Sequence, residues 1–599
     1  MPSYSAPLRD IHFVLNELLD SASHYGSLQG CEPVSPDEML AIIDSGRQFA
    51  EEVLQPLNKS GDEQGCKFEN GKVTIPAGFA DAFHQYCADG WQGFGVPVAH
   101  GGQGLPGSLG MVVNEMMGAA NWAWTMYPGL AHAPVTCLLH GGTPEQQAMF
   151  LPKIVSGEWA GTMCLTEAHC GSDVGLLRTK AVKQADGSYK ISGTKIFISA
   201  GEHDITSNII HAVLARVEGA PKGTKGISLF IVPKINVNAD GSLGAANNVN
   251  CGSIEKKMGL KGSATCVMNF DGATGYLVGE ENRGLEIMFN MMNSARLGTG
   301  LQGLALGEAS FQGALKYARE RLQMRSLTGK KNPDGEADPI IVHPDVRRML
   351  MTQKAIVEGQ RAFLYWCSQL VDKTHFAPTA EEKKSAEDLL GLLTPIAKAF
   401  CTETGVEVCN IGIQVFGGHG YIHEHGMEQI ARDVRISTIY EGTTGIQALD
   451  LIGRKVMGSG GELLRNFTKV IHKFCEAHKD AADMAPFCAQ LSDVNKQWGE
   501  LTMAIGERAM KDAEEVGAAS VDYTMYSGYI ALAYMWAQMA QVAQAKIAAG
   551  ADSDGFYAAK LATARFYFAR ILPRTGFHYA AALAGAETVM AIAEEKFAF

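Results

Sequence analysis

One carboxylate in the second half of the chain has surroundings that suit proton transfer. Glu441 lies in RISTIYEGTTGIQ, from Arg435 to Gln447, between a β-branched apolar run and a Gly-Thr-Thr-Gly turn. Two interpretations are open. A glutamate near the start of a helix is stabilised by the helix dipole and has only a structural role. A single acid next to apolar residues and glycine is also the arrangement expected of a catalytic base.

Small and hydroxyl-bearing residues form a second candidate site in MCLTEAHCGSDVGLLRTKA. Thr166, Gly171 and Ser172 would let a backbone approach a ligand closely and donate hydrogen bonds to it. A polar loop with a helix cap at Ser172 or Asp173 explains the same pattern without a ligand. The loop therefore favours neither interpretation when it is taken alone.

A short β-branched segment, GTKIFISAG, follows this loop. It places an aromatic residue, Phe197, before Ile198 and Ser199 at the end of a predicted strand. By itself this pattern is more typical of an ordinary strand than of a binding site.

Arginines and glycines supply two more candidate positions. YARERLQMRS places Arg319, Arg321 and Arg325 on one side or near the end of a helix. A solvated basic face is the usual explanation, but the planar fork of arginine also suits a pyrophosphate. QVFGGHGY, residues 414–421, is a glycine-dense turn. It could end a helix, or it could allow close approach to a phosphate or a sugar.

Single-loop nucleotide sites are not predicted. GGHG lacks the strand–GxGxxG–helix frame, and the chain contains no GxxxxGK[ST] motif. No Gly-x-Ser-x-Gly elbow occurs in an alternating α/β context. A flavin held by several separate segments fits these residues better than a nucleotide held by one loop.

The length and composition of the chain limit which functions are possible. A chain of 599 residues is too long for one core, so several domains are expected. The net charge of −13 argues against nucleic acid or an anionic membrane surface as the main partner. We expect no membrane span, because no apolar run approaches ~20 residues. The 13 cysteines are scattered, so neither a metal site nor a disulfide framework is predicted, and a cytoplasmic protein with reduced thiols is expected.

The pattern of apolar, β-branched and turn-forming residues along the chain predicts a multidomain α+β protein. Residues 1–159 are expected to form an N-terminal helical domain with an N-terminal extension. Residues 160–282 contain short β-branched segments separated by Gly, Asn and Asp, and predict a β domain. Residues 283–458 return to long helical patterns and include Glu441. After a Gly-Ser-Gly-Gly linker, residues 459–599 predict an additional C-terminal helical domain.

Six segments in this order resemble the acyl-CoA dehydrogenase family. They are CLTEAHCGSDV, GTKIFIS, KMGLKGSATCVMNF, RLQMRS, QVFGGHGY and IYEGTTGIQ, and the resemblance covers roughly residues 35–455. It implies a helical domain, a β-barrel-like domain and a four-helix bundle. It also implies FAD as the cofactor, and α,β-dehydrogenation of an acyl-CoA to the trans-2-enoyl-CoA. The C-terminal domain is similar to that of the longer bacterial members, whose substrates are fatty acyl-CoAs or 3-methylmercaptopropionyl-CoA.

The resemblance assigns a role to each matching residue. Glu441 matches the catalytic base, and Arg321 matches a pyrophosphate contact supplied by the neighbouring subunit. The implied FAD contacts are Leu165, Thr166, Gly171, Ser172, Phe197, Ile198, Ser199, Arg321, Gln414, Gly417, Gly418 and Thr443. The implied substrate contacts are Ser172, Asn293, Arg296, Tyr440 and Gly442. The chain departs from the family pattern at Met324 and Arg325, where Phe-Gly is usual, at Gly445, and at Asn293, where an aspartate is usual.

Three other functions share parts of this pattern. An acyl-CoA oxidase would use the same site and pass electrons to oxygen. A nitroalkane-oxidase-like enzyme would have an aspartate as its base. A non-enzymatic DNA-binding relative would need a basic C-terminal domain, but residues 461–599 contain 13 Lys and Arg against 16 Asp and Glu. The resemblance therefore favours a dehydrogenase with an electron-transfer flavoprotein as the acceptor and no nucleic acid partner. Many shorter family members are tetramers, and we expect the C-terminal domain to cover the surface of their second dimer contact and leave a homodimer.

Overall fold

The computed structural model describes residues 2–598, apart from the side chain of Asn290. Contacts divide the chain into two compact units, Cys31–Ala295 on the one hand and Met1–Gly30 with Arg296–Phe599 on the other. The first is called the sheet unit below, and the second is called the helical unit.

Nineteen α-helices are present in the described residues, with short 3-10 and π segments at several of their ends. In chain order they are α1 Leu8–His12, α2 Ser21–Ser27, α3 Pro36–Gln48, α4 Gln55–Gln64, α5 Phe79–Ala88, α6 Gly107–Leu130, α7 His132–Gly141, α8 Pro144–Val155, α9 Gly284–Glu320, α10 Pro344–Phe376, α11 Ala380–Phe416, α12 Met427–Arg435, α13 Thr444–Leu449, α14 Glu462–His478, α15 Ala485–Ala509, α16 Glu514–Ala548, α17 Phe556–Phe566, α18 Arg574–Ala582 and α19 Glu587–Met590.

Eleven strands are present in the described residues, all of them in the sheet unit. They are β1 Lys67–Glu69, β2 Lys72–Thr74, β3 Trp159–Cys164, β4 Lys180–Lys183, β5 Tyr189–Ser199, β6 Asn208–Val217, β7 Ser228–Pro233, β8 Ile235–Val237, β9 Leu243–Ala246, β10 Val249–Ile254 and β11 Thr265–Val278.

Strand pairing in the main sheet returns to the strand from which it starts. β11 pairs with β5, β5 with β4, β4 with β6, β6 with β7, and β7 again with β11. β10 adds to β11, and β3 adds to β6 in parallel. The first eight residues of β6 are all buried, as expected for a strand covered on both faces. The predicted β domain is therefore confirmed, and its barrel-like character comes from this ring of pairs.

Glycines let two long helices of the helical unit approach each other closely. A Cβ added to Gly303 of α9 would lie 2.2 Å from the carbonyl oxygen of Cys401 on α11. A Cβ on Gly405 would lie 2.5 Å from the Cα of Gly303. Glycine is required at such a helix crossing because any larger residue would push the backbones apart. This contact fixes the relative position of the α9 and α11 residues that approach Glu441.

The C-terminal domain is packed onto the bundle formed by α9 to α11 in the same unit. α16 packs against α10, α11 and α13. Buried ion pairs also join this domain to α1 and α10. Arg361 contacts Asp10 at 2.5 Å and Glu308 at 2.6 Å, while Lys560 pairs with Asp10 and, at 2.7 Å, with Glu358.

The predicted order of helical, β, helical and further helical regions is confirmed. The four domain limits remain a prediction. Two short hairpins, β1–β2 and β8–β9, were not predicted. None of the helices in residues 2–598 combines the length and apolar character needed to cross a bilayer.

Candidate active site

Glu441 lies on a left-handed turn just before α13. Its φ is +57°, and Gly442 follows with φ +90°. A Cβ on Gly442 would lie 2.4 Å from Nε2 of Gln447, and this same amide donates a 3.2 Å hydrogen bond to the carbonyl oxygen of Glu441. The helix is capped by Thr443, whose hydroxyl accepts a hydrogen bond from the N–H of Ile446. The helix-start interpretation therefore applies to Thr443 and not to Glu441.

The left-handed conformation of Glu441 is costly for a residue with a side chain. It costs roughly 1–2 kcal/mol relative to a right-handed one. Residues held in such conformations cluster at functional sites, because the surrounding structure must hold them there. The turn thus presents Glu441 in one defined backbone orientation.

Two cations influence the ionisation of Glu441. Desolvation by the surrounding protein raises the pKa of Glu441 above its usual value, and the positive charges of Arg296 and Lys398 oppose part of this rise. Arg296, on α9, is buried and pairs with Asp450 at 3.5 Å. A carboxyl with a raised pKa between cations is suited to accept a proton near neutral pH.

Hydrogen bonds fix the turn to α9 and α11. The hydroxyl of Tyr440 donates to Oε1 of Gln302 on α9. The hydroxyl of Thr444 donates to Oε1 of Glu403 on α11 at 2.5 Å. Because both neighbours of the Glu441–Thr443 segment are held by these helices, the base has a rigid support.

The sheet unit brings two of the other predicted segments together. The N–H of Ile196 donates a 2.9 Å hydrogen bond to the carbonyl oxygen of Thr166, so GTKIFIS and CLTEAHCGSDV are adjacent. Glu167 anchors this loop, because its carboxylate accepts from Lys195 at 2.9 Å, from the N–H of Arg178 at 2.7 Å and from the hydroxyl of Thr179 at 2.6 Å.

Exposure distinguishes the residues in these two adjacent segments. Phe197 is 60% exposed and has φ +58°, whereas Ile198 is buried and Ser199 is half-buried. Leu165 is buried, Thr166 is half-buried, and Gly171 and Ser172 are exposed. The capping interpretation holds for Asp173, whose carboxylate accepts from the N–H of Gly175 at 2.9 Å. An exposed aromatic ring beside hydroxyl groups fits the planar ring system of a flavin.

The remaining predicted residues lie at helix ends of the helical unit or on α9. Gly417 ends α11 with φ +59°, so the capping interpretation of QVFGGHGY is correct, and its ligand-binding interpretation stays a prediction. Within the described residues, an added Cβ on Gly417 or Gly418 would meet no atom within 4 Å. Gln414 and Arg321 are exposed, and Asn293 is exposed on α9.

Sequence reasoning missed Lys398, Glu403 and Gln447. Lys398 occurs in IAKAF, where a lysine on a helix is expected to face solvent. The signal that could have revealed it is its position in LLGLLTPIAKAF, a largely apolar stretch in which it is the only charged residue. Gln447 could be recognised only from its contact with Glu441, which depends on the turn.

The chain matches models of known protein families along most of its length. Three family models match in order, namely acyl-CoA dehydrogenase N-terminal domain at residues 36–158, middle domain at 162–273 and C-terminal domain at 282–457. The model "acetyl-CoA dehydrogenase C-terminal like" matches residues 467–593. The chain is 40% identical over 571 residues to the 3-methylmercaptopropionyl-CoA dehydrogenase of Ruegeria pomeroyi, covering 95% of this chain and 96% of that one. The chain belongs to the acyl-CoA dehydrogenase family.

Other acyl-CoA dehydrogenases share the full length. A broad-specificity linear acyl-CoA dehydrogenase of Mycobacterium tuberculosis is 35% identical over 596 residues, with 96% of each chain covered. The fold is similar to that of an acyl-CoA dehydrogenase from Bacillus anthracis solved in complex with FAD, with a TM-score of 0.75, 20% identity, and 97% and 92% of the two chains covered. FAD is the cofactor of the family, and the exposed ring of Phe197 fits it.

Proposed function

We propose that this protein is an FAD-dependent acyl-CoA dehydrogenase in which Glu441 removes the α-proton of an acyl-CoA thioester. The observation that carries the proposal is the setting of Glu441, a carboxyl with a raised pKa on a left-handed turn. The product is the trans-2-enoyl-CoA.

Different residues of the chain contribute to different steps of this reaction. An α-proton of a thioester is weakly acidic, so its removal needs a fixed base and stabilisation of the charge that develops on the carbonyl oxygen. Glu441 accepts the proton, and its own backbone N–H donates to that oxygen. Gly442 leaves room beside the thioester, since it carries no side chain. FAD held by this protein would supply the acceptor for the hydride that leaves the β-carbon.

The residues proposed to hold FAD are those of the two adjacent segments of the sheet unit. Leu165, Thr166 and Ser172 are proposed to line it, and Ser199 is proposed to donate a hydrogen bond to its ring system. Phe197 supports the assignment because a large aromatic side chain at 60% exposure has apolar surface that a planar ligand could cover.

The test of the proposed base is Glu441→Gln. The amide keeps the size of the side chain but cannot accept the proton, so we expect at least a 1000-fold fall in kcat with flavin content unchanged. The matched control is Glu462→Gln, an exposed carboxylate in the first turn of α14. Turnover of the Glu441 variant at the wild-type rate would show that another group is the base.

The acyl group is the next part of the proposal. Relatives named for 3-methylmercaptopropionyl-CoA and for linear acyl-CoAs are similar over the whole chain. We therefore propose an unbranched acyl chain, with or without a thioether in it. Turnover with an artificial electron acceptor on acyl-CoAs from C4 to C16, and on 3-methylmercaptopropionyl-CoA, will identify the substrate. A preference for branched or aromatic acyl groups would contradict the proposal.

A homodimer is the proposed assembly. It is supported by apolar side chains that stand exposed beside Arg321, namely Met324 at 71% and Leu327 at 89% exposure. Apolar side chains that are exposed together, and not singly, are typical of interaction surfaces. We propose that Arg321 reaches the FAD of the partner subunit, and that an electron-transfer flavoprotein then takes up the electrons. The thirteen free thiols support the cytoplasm as the place of action.

Mixed dimers test the contribution of Arg321 across the interface. Arg321→Ala and Glu441→Gln are each expected to be inactive at limiting FAD. If Arg321 acts in the partner's site, a dimer of one Arg321→Ala subunit and one Glu441→Gln subunit has one intact site of its two. Random mixing makes about half of the dimers mixed in this way, so about a quarter of wild-type activity is restored. If Arg321 acts within its own subunit, mixing restores none.

The proposed acceptor has a direct assay. Reduced enzyme that passes electrons to a purified electron-transfer flavoprotein and consumes little oxygen supports it. Rapid oxygen consumption with stoichiometric peroxide would identify an acyl-CoA oxidase instead.

A further inference from the structure

Lys398 is a buried cation without a hydrogen-bonding partner. Its side chain is fully buried in α11, and no acceptor among the described residues lies within hydrogen-bonding distance of Nζ. Burying an ammonium group without a hydrogen-bonded partner costs several kcal/mol. A buried polar group left in this condition calls for a specific explanation.

Charged groups on three elements surround Lys398. Burial lowers the pKa of Lys398 to about 8, and the attraction of Glu441 and Glu403 opposes this fall, while the positive charge of Arg296 adds to it. Glu403 is on α11 itself, Arg296 is on α9, and Glu441 is on the turn before α13. Lys398 is therefore mostly protonated at pH 7 and below.

The other charges in this group have partners of their own. Glu403 accepts a 2.5 Å hydrogen bond from Thr444. Arg296 pairs with Asp450 at 3.5 Å, and Asp450 also pairs with Arg454 at 2.8 Å. Arg296 has the larger effect of the two cations on the pKa of Glu441, and Lys398 adds to it.

Lys398 differs from Arg296 because it has no such ion pair. Among the described residues, no carboxylate lies within ion-pairing distance of its Nζ. Its attraction to Glu441 is stronger than its attraction to Glu403, and both oppose the fall of its pKa. The hydrogen bond from Thr444 to Glu403 joins α11 to the turn that carries Glu441. Because Lys398 is fully buried, little solvent screens its charge.

We propose that Lys398 is a positioning residue for proton abstraction, whose buried ammonium keeps Glu441 ionised so that the base is ready to accept the α-proton. The proposal rests on the proposed role of Glu441. Proton transfer breaks the α-C–H bond and protonates the Glu441 carboxylate, and Lys398 keeps its own proton throughout.

The variant Lys398→Met removes the charge and keeps the length of the side chain. Since the charge of Lys398 opposes the desolvation of Glu441, its loss should raise the pKa of Glu441. We expect the acid limb of the pH profile of kcat/KM to move upward by about one pH unit. At pH values below the acid limb, the variant should therefore be about tenfold less active than the wild type, and this difference should disappear at higher pH. The probe is the acyl-CoA that turns over fastest among those from C4 to C16.

Two further variants separate charge from packing. Lys398→Arg keeps the charge and should hold the limb near its wild-type position. Thr402→Val changes the next turn of α11, where the hydroxyl of Thr402 donates to the carbonyl oxygen of Lys398, and it should leave the limb unmoved. A shift in the Thr402 variant equal to that of Lys398→Met would attribute the effect to packing and overturn the proposal.

Stability and infrared titration provide readouts that do not depend on turnover. Replacing an unpartnered ammonium by an apolar chain removes its desolvation cost, so Lys398→Met should unfold at the same or a higher temperature than the wild type. In the flavoprotein, the infrared band of a protonated carboxyl that is missing in Glu441→Gln should titrate at higher pH in Lys398→Met. If neither the infrared band nor the acid limb moves in Lys398→Met, and Glu441→Gln is inactive, only the proposed role of Lys398 is overturned. If the Glu441→Gln variant is active, the proposed base itself is overturned.

Discussion

The indole N–H of Trp536, on α16, donates a 2.9 Å hydrogen bond to the main-chain carbonyl oxygen of Ala355 on α10. Trp536 is fully buried, so the bond joins the C-terminal domain to the bundle inside a common core. A carbonyl within a helix normally accepts only its own helical hydrogen bond, and the second donor fixes the register between the two helices.

The close contact between Gly528 and Phe400 leads to the first prediction. A Cβ on Gly528 would lie 2.1 Å from the ring of Phe400. Gly528→Ala should therefore lower the free energy of unfolding by about 1–3 kcal/mol, because α16 and α11 must separate. Gly517→Ala, on the same helix, would meet no described atom within 4 Å and should stabilise the protein by about 1 kcal/mol. Equal effects in thermal denaturation would contradict the packing.

The second prediction concerns the buried cation Lys560. Lys560→Met would leave the carboxylates of Asp10 and Glu358 with one cation fewer in a buried setting. Removing one partner of a buried charge pair costs about 3–5 kcal/mol. Urea denaturation should show this loss, whereas Lys496→Met, which removes an exposed lysine of α15, should change stability by less than about 0.5 kcal/mol. Similar losses in the two variants would show that the buried cluster contributes little.

The third prediction is a pH dependence due to Glu167. Burial opposes its ionisation, but the charge of Lys195 and the hydrogen bonds from Thr179 and Arg178 outweigh burial and lower the pKa of Glu167 to about 2. The ordinary pKa is about 4.3. The stabilisation is therefore present above pH ~4.3 and is lost as the pH falls through about 2.

The variant Glu167→Gln isolates this contribution. The wild type should lose about 2–3 kcal/mol more than the variant between pH ~4.5 and ~2, because only the wild type must protonate this carboxylate. Circular dichroism melts across this range will measure the difference. Parallel curves for the two proteins would show that the ion pair does not couple to folding.

The fourth prediction concerns the turn that carries Arg321. Asp338 is buried and accepts hydrogen bonds from the N–H groups of Ser326, Lys331 and Asn332. These bonds, with a further hydrogen bond from the side chain of Arg325, lower the pKa of Asp338 to about 2. Asp338→Ala should disorder the turn and weaken FAD binding by about tenfold, if Arg321 contacts the pyrophosphate.

Flavin reconstitution followed by fluorescence will measure this affinity. The control is Asp334→Ala, an exposed aspartate in the same turn, which should bind FAD as the wild type does. Unchanged affinity in Asp338→Ala would show that the turn is not needed for the cofactor.

Long periodic elements could be predicted from the sequence, because their signals are local. α16 and β5 to β7 follow from apolar periodicity and β-branched runs. The β1–β2 hairpin was missed although its signal is present. Asn70 and Gly71 form its two-residue turn with φ of +52° and +79°, which is the Asn-Gly pattern of a type I′ hairpin.

The electrostatic surroundings of Glu441 could not be predicted. The motif around Glu441 is local and identifies the residue, but its pKa depends on Arg296 and Lys398, which are distant in sequence. The pairing of Arg296 with Asp450 depends on how α9 meets the segment after α13. Such relationships follow from helix packing, for which apolar periodicity gives no register.

The ion pair between Asp10 and Lys560 has a consequence for synthesis on the ribosome. Translation proceeds at ~5–20 residues per second, so Lys560 follows Asp10 by roughly half a minute to two minutes. Through this interval the first helix has neither Lys560 nor, at first, Arg361 to neutralise its carboxylate. The carboxylate of Asp10 therefore needs water as its partner while the sheet unit emerges. The ion pairs of Asp10 therefore form only after the residues that partner it have been made.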